Sequence, residues 1–131
     1  MPSVLHTALA GAAVALVAGL GPAAAHHSFA MFDLKREQVL NGTVKVFEWT
    51  NPHTWIRVDV AEADGSVATY SVEGQSPNFW SRRGWSKNTV KPGDKVSVVI
   101  RPLKDGSKGG MFVRMTLPNG EVKEMAGAAS D

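Results

Sequence analysis

The 131-residue sequence contains no cysteine, and this limits both its stabilisation and its chemistry. Without thiols there are no disulfides, and thiolate zinc sites, iron–sulfur clusters and thiol redox chemistry are excluded. Charge of one sign is also scarce, because 14 basic and 12 acidic residues leave a net charge of +2. So small an excess argues against a dedicated binder of nucleic acid or another polyanion.

Recognisable catalytic patterns are missing as well. The sequence has no nucleophile elbow and no phosphate-cradling glycine loop. Four carboxylates on the arm and strands, Glu37, Glu48, Asp59 and Glu73, show no paired spacing that would indicate acid–base catalysis. We therefore expect a binding protein rather than an enzyme. A copper-dependent oxidative enzyme is a third hypothesis, which a domain this small supports poorly because it offers little substrate surface.

Long apolar runs are confined to the N-terminus, where residues 1–25 have the order of a signal peptide. The stretch Ala8 to Leu20 is apolar, a Gly-Pro pair follows, and the Ala-x-Ala ending at Ala25 is typical of a cleavage site. No Lys or Arg precedes this run, and an uncleaved membrane anchor is the alternative because the run is close to spanning length. Cleavage predicts a periplasmic or secreted protein that begins at His26 and has no membrane span.

The rest of the sequence has the pattern of strands with one short helix. Alternating apolar positions, such as Ile56, Val58 and Val60, indicate half-buried strands. The predicted strands cover residues 40–49, 54–60, 67–72, 95–102, 111–117 and 121–125, and the helix covers 78–83. A helix between the third and fourth strands favours an all-β fold, a small five- to six-stranded Greek-key barrel of the OB type. A β-sandwich would accommodate the strands but would leave the helix incidental.

Four segments follow from this pattern. Residues 1–25 are the signal peptide, 26–38 an extended N-terminal arm, 39–125 the barrel domain and 126–131 a loose tail. Gly42, near the start of the first strand, marks a bulge or a close approach of two backbones.

Three of the four histidines follow the leader, and they stand in two short motifs. His26 and His27 begin the mature chain, and His53 ends the motif Asn51-Pro52-His53. After cleavage, the amine and ring of His26 can chelate one metal ion, and His53 is the natural third nitrogen ligand. Copper favours this nitrogen set, and zinc is the second choice. His27 is an alternative or outer ligand, because neighbours in an extended chain point in opposite directions.

Each of these features also has a purely structural explanation. The two N-terminal histidines can be a flexible polar end, and His53 and Asn51 can simply hydrogen-bond within a turn. Trp49 and Trp55 flank that turn, where they either cover a barrel mouth or wall a shallow site. The methionines can act as soft ligands for monovalent copper, but core filling is the favoured role. Those that follow the leader are Met31, Met111, Met115 and Met125.

The aromatic and basic run over residues 79–87 could stack on bases, but we favour a helix that plugs the barrel and exposes its charges.

The paired motifs resemble a bacterial family of small exported proteins of unknown function. The resemblance is carried by His26-His27-Ser28-Phe29, by the run from Gly42 to His53, by the segment Ser76 to Trp85, and by Lys91-Pro92-Gly93-Asp94. It covers almost the whole mature chain and implies an exported domain resembling a β-barrel. It implies no activity, ligand or catalytic residue. The family hallmarks would fall on Ser28, Asn51 and Pro52 and on the three histidines outside the leader.

Two hypotheses of different classes therefore follow. The first is a periplasmic module that binds a metal ion, with copper as the first choice, through His26 and His53, with Asn51 orienting the turn. The second is a metal-free module in which the arm and the aromatic residues Trp49 and Trp55 bind a protein or another ligand of the cell envelope. Neither hypothesis involves nucleic acid, and the sequence leaves the oligomeric state open.

Overall fold

Six strands, one short α-helix and a 3-10 turn make up residues 29–125, the part of the chain that the computed structural model describes. After the 3-10 turn Phe29–Met31, the strands are β1 (Gln38–Glu48), β2 (Trp55–Ala61), β3 (Val67–Glu73), β4 (Lys95–Pro102), β5 (Gly109–Thr116) and β6 (Val122–Glu124). The helix α1 (Pro77–Ser81) lies between β3 and β4. The predicted signal peptide, the histidines His26 and His27, Ser28 and the tail from residue 126 lie outside the described residues.

The strands close into a barrel. Hydrogen bonds link them in the order β3-β2-β1-β4-β5-β6, and a further parallel pairing between β3 and β5 closes the first five into a ring. The sixth strand is an addition that pairs with β5 alone. The predicted small all-β barrel with one helix between its third and fourth strands is confirmed, and the closing pair excludes the alternative sandwich.

Strand β1 belongs to both sides of the ring. Its first part, Gln38 to Thr43, pairs with β4, and its second part, from Gly42, pairs with β2. A side chain at Gly42 would overlap the carbonyl oxygen of Asp59, so the predicted close approach is correct. The bulge lies elsewhere, between Val44 and Val46, where the register with β2 shifts.

The barrel core follows the alternation in the strands. Ile56, Val58, Val72, Val98 and Ile100 are fully buried, because each occupies an inward position of its strand. At one end, α1 begins at the N-cap Ser76, whose side chain accepts a hydrogen bond from the Phe79 amide, with Pro77 in the first turn. The helix ends at Ser81, two residues earlier than predicted.

The helix end of the barrel is filled with aromatic rings, as the sequence predicts for residues 79–87. Trp80 and Trp85 are buried and stack with ring centroids 4.2 Å apart, and Phe112 contacts both at 5.1 and 5.5 Å. The neighbouring Arg82 and Arg83 are exposed. The two tryptophans of this run are therefore core, and its cations face solvent.

The N-terminal arm is docked against the barrel. Phe32 is buried and forms a β-bridge with Leu103, and the Asp33 amide donates to the carbonyl of Pro102 over 2.8 Å. Farther along, the Glu37 carboxylate lies 3.2 Å from Arg101 and 3.1 Å from Arg114. The described part of the predicted arm, from Phe29, thus begins with a 3-10 turn and ends where β1 starts at Gln38.

We expect Phe32→Ala to lower the free energy of unfolding by about 3 kcal/mol, because a buried phenyl ring is lost. Phe29→Ala, in the same arm, removes a ring that is 55% exposed and should cost no more than about 0.5 kcal/mol. Urea unfolding monitored by tryptophan fluorescence measures both changes. Equal losses for the two variants would show that the arm does not depend on Phe32.

Candidate functional site

The candidate site is centred on His53, which occupies the loop between β1 and β2. The Thr50 hydroxyl donates to the carbonyl of His53 over 2.9 Å, so Thr50 rather than Asn51 supplies the hydrogen bond that closes this turn. Asn51 and Pro52 are exposed, and the peptide bond between them is cis. The hydrogen bond from Thr50 therefore fixes the backbone of the loop at His53, from which the imidazole projects.

The end of β3 supplies the surroundings of His53. The Thr54 amide donates to the Gln75 carbonyl over 3.0 Å, and the Gly74 amide donates to the Thr54 carbonyl over 2.8 Å. Thr54, itself fully buried, also donates its hydroxyl to the Gln75 carbonyl over 2.9 Å. This short ladder extends the pairing of β2 with β3 and brings His53 beside Glu73 and Gly74.

The imidazole of His53 is oriented through its Nδ1 atom. Nδ1 lies 3.0 Å from the Gly74 carbonyl oxygen and 3.1 Å from Glu73 Oε1. A backbone carbonyl only accepts, so Nδ1 carries the hydrogen in this contact. In the neutral ring the lone pair is then on Nε2. Donation of the other ring N–H to a carbonyl or carboxylate is the usual arrangement of a histidine that binds a metal.

Glu73 is a buried carboxylate at an outward position of its strand. Its neighbour Val72 points into the barrel and is fully buried, so Glu73 projects from the outer wall. Glu73 is nevertheless only 8% exposed. A buried carboxylate requires polar partners, and His53 is one of them.

The arm borders the same place. A cavity of about 50 Å³ is lined by His53, Glu73, Gly74, Gln75 and Met111 on the barrel side, and by Phe29 and Phe32 from the arm. This volume accommodates one water-sized occupant. Phe29 is the first described residue, and it lies three positions after His26.

The sequence-predicted site residues are thus partly brought together. His26, His27 and Ser28 lie outside the described residues, and His53 lies in the cavity wall. Trp49 instead packs edge-on against Phe47 at 5.6 Å, as part of the aromatic cluster. Among residues 29–125, no three His, Cys, Asp or Glu side chains are grouped closely enough to hold a metal ion.

Trp55 lies on the outer face of β2, where the guanidinium of Arg57 covers its ring at 5.2 Å. Its strand partner is Glu73, so it flanks the site without lining the cavity.

Sequence reasoning considered Glu73 and Met111 but placed neither at the site, and the core role favoured for Met111 is wrong because its side chain lines the outer cavity. Both stand at outward positions of strands that are adjacent only because the barrel closes, with Glu73 opposite Met111 in the parallel register. Their one local signal is alternation, since each adjoins a residue that points inward, Val72 and Phe112.

The fold and site define a small closed β-barrel with a polar pair sheltered beside its arm. Over residues 13–114 the chain matches the family of unknown function DUF6152, and it belongs to that family. No curated protein and no solved structure matches the chain. Among the described residues, no helix is long and apolar enough to span a membrane.

Gly74→Ala should lower the free energy of unfolding by about 3 kcal/mol, at the upper end of the cost of overpacking. Its Cβ would approach the Trp80 ring to 2.5 Å and would also overlap the Thr54 hydroxyl. Chemical denaturation measures the effect.

The matched control for this prediction is Gly106→Ala. Its Cβ would enter open space, so the substitution carries only the cost of a left-handed backbone, about 1 kcal/mol. A Gly74→Ala protein as stable as the Gly106→Ala protein would contradict this account of the packing beneath His53.

Proposed function

We propose that this protein is an exported metal-binding module that binds copper through His26 and His53. The observation that carries the proposal is the orientation of His53. Its Nδ1–H is oriented by the Gly74 carbonyl and the Glu73 carboxylate, so in the neutral ring the lone pair is on Nε2, the nitrogen that would bind the metal. The ring is only one-fifth exposed, so it is held in place by its surroundings.

The position of the arm supports the second ligand. Phe29 lines the same cavity as His53. Three residues of extended chain span at most about 11 Å, so His26 is tethered within that distance of Phe29. This tether to a residue of the cavity wall supports His26 as the partner of His53.

The type of donor atoms determines which metal ion this site would prefer. An N-terminal histidine offers its amine and one ring nitrogen, and His53 would complete a planar set of three nitrogen ligands, which suits divalent copper. The described residues contain no group of three His, Cys, Asp or Glu side chains that could hold a metal ion. A further donor would therefore come from the N-terminal segment. Zinc is the second choice, because imidazole nitrogen suits it as well. His27 remains the alternative or outer ligand.

Export is the second part of the proposal. The amine of His26 exists only after removal of residues 1–25, so metal binding would begin once the leader is cleaved in the periplasm or outside the cell. N-terminal sequencing of protein recovered from cells that express the full chain tests this directly. A first residue other than His26 would overturn the amine ligand.

The central experiment is a calorimetric titration of cupric ion into protein that begins at His26. We expect one ion per chain, and binding at least 100-fold weaker when the α-amine of His26 is acetylated, because the blocked amine can no longer coordinate the ion while every described residue is unchanged.

A second variant tests the partner ligand. His53→Gln should weaken cupric binding by at least tenfold, with circular dichroism confirming that the barrel is intact. Equal affinity in the protein acetylated at His26, or in His53→Gln, would refute the proposed ligand set.

A metal-free interaction module is the second candidate, and the arm favours it. Phe29, Met31 and Leu34 are 48–55% exposed on one short segment. If this surface binds an envelope protein or ligand, Phe29→Ser with Leu34→Ser should abolish retention of that ligand by immobilised protein. His53→Gln should leave the retention unchanged. The opposite pattern would favour the metal site.

A further inference from the structure

The parallel pairing of β3 with β5, which closes the barrel, places Met111 at the candidate site. In the parallel pairing of β3 with β5, Met111 is the register partner of Glu73. Side chains at paired positions stand on the same face of a sheet, and neighbouring strands lie about 4.8 Å apart. Phe112 is fully buried in the barrel, so Met111, its neighbour, points outward like Glu73.

The cavity confirms the juxtaposition of the three side chains. Met111, Glu73 and His53 line the same space of about 50 Å³. Glu73 Oε1 is 3.1 Å from His53 Nδ1, so the imidazole, the carboxylate and the thioether residue form one continuous wall. The phenyl rings of Phe29 and Phe32 complete this wall from the arm.

The other methionines of the described chain have different surroundings. Met115 is fully buried within the barrel core, and Met31 is 48% exposed on the arm. Met125 packs against the core, and its sulfur accepts a hydrogen bond from the Gln75 amide over 3.6 Å. Of these four side chains, Met111 alone lines the cavity with His53.

We propose that the Met111 thioether is a ligand for monovalent copper, so that this site binds the reduced ion as well as the oxidised one. The inference deepens the proposed function and rests on it in placing copper at His53. Thioether sulfur is a soft donor that selects monovalent copper, whereas amine and imidazole nitrogen suit the divalent ion. The chain has no cysteine, so methionine is its only source of soft sulfur.

The two oxidation states would then use overlapping ligands. Divalent copper uses His26 and His53, and monovalent copper uses His53 and Met111. Because Met111 is half-buried beside two phenyl rings, the reduced ion would be held in the less polar part of the site.

The test is a pair of affinity measurements on processed protein that begins at His26. Monovalent copper affinity is measured anaerobically, by competition with bicinchoninate, and divalent copper affinity by calorimetry. Met111→Leu should weaken monovalent binding at least tenfold and change divalent binding less than threefold. Leucine nearly conserves the side-chain volume, so the fold should persist. Met31→Leu is the matched control and should change neither affinity.

X-ray absorption of wild-type protein loaded with monovalent copper provides a second readout. We expect a sulfur neighbour of the metal that disappears in Met111→Leu. Unchanged monovalent affinity together with a sulfur-free spectrum would overturn the inference while leaving the divalent site standing.

Two further outcomes separate this inference from the proposed function. Failure of wild-type protein to bind either ion would overturn both. Monovalent binding that depends on Met111, with divalent binding indifferent to acetylation of the His26 amine, would support the inference and remove the amine ligand.

Discussion

The parallel pairing of β3 with β5 is the constraint on which both the fold and the candidate site depend. Three residue pairs close the ring. In two of them the β5 residue is a glycine, Gly109 or Gly110. A side chain at Gly109 would overlap the Ser71 carbonyl, and one at Gly110 would overlap that of Arg101. The third pair sets Met111 against Glu73. The contact that completes the barrel wall therefore also assembles the outer wall of the cavity.

The arm determines the environment of that wall. An outward-facing carboxylate on a barrel is ordinarily solvated, yet Glu73 is buried at the cavity that Phe29 and Phe32 help to line. Burial of Phe32 and the two ion pairs of Glu37 anchor the arm to β4 and β5. A polar pair taken out of water interacts more strongly than one on an open surface. The end of β3 orients His53, and the arm helps to enclose the cavity that His53 lines.

Much of the fold could be predicted from local pattern. Alternation located Ile56 and Val58, and Ser76-Pro77 located the helix start. The end of α1 was predicted two residues late, because Trp80 and Trp85 turn into the core and the chain leaves the helix between them. The bulge between Val44 and Val46 contains no glycine that would have indicated it in the sequence. It is a shift in the register of β1 with β2.

The candidate site was less predictable, for a physical reason. His53 could be singled out because histidine is rare in this chain and sits in a proline-containing turn. Glu73 and Met111 are 38 positions apart in the sequence, and only the closing pair makes them neighbours. Local spacing carries no information about such a contact. The packing of Trp49 against Phe47 likewise depends on the helix plug, which a sequence pattern places only approximately.

Strand β1 pairs with both β2 and β4, and this affects how the barrel can unfold. Gly42 and Thr43 have partners on β2 and on β4 at once, so the two sides of the ring share one stretch of backbone. Separating β1 from either β2 or β4 would break hydrogen bonds of residues that also pair with the other strand. The unfolding of the two sides is therefore coupled. Amide protons in the middle of β1 should consequently be among the slowest in the molecule to exchange with solvent, and the barrel should come apart as a unit rather than by halves.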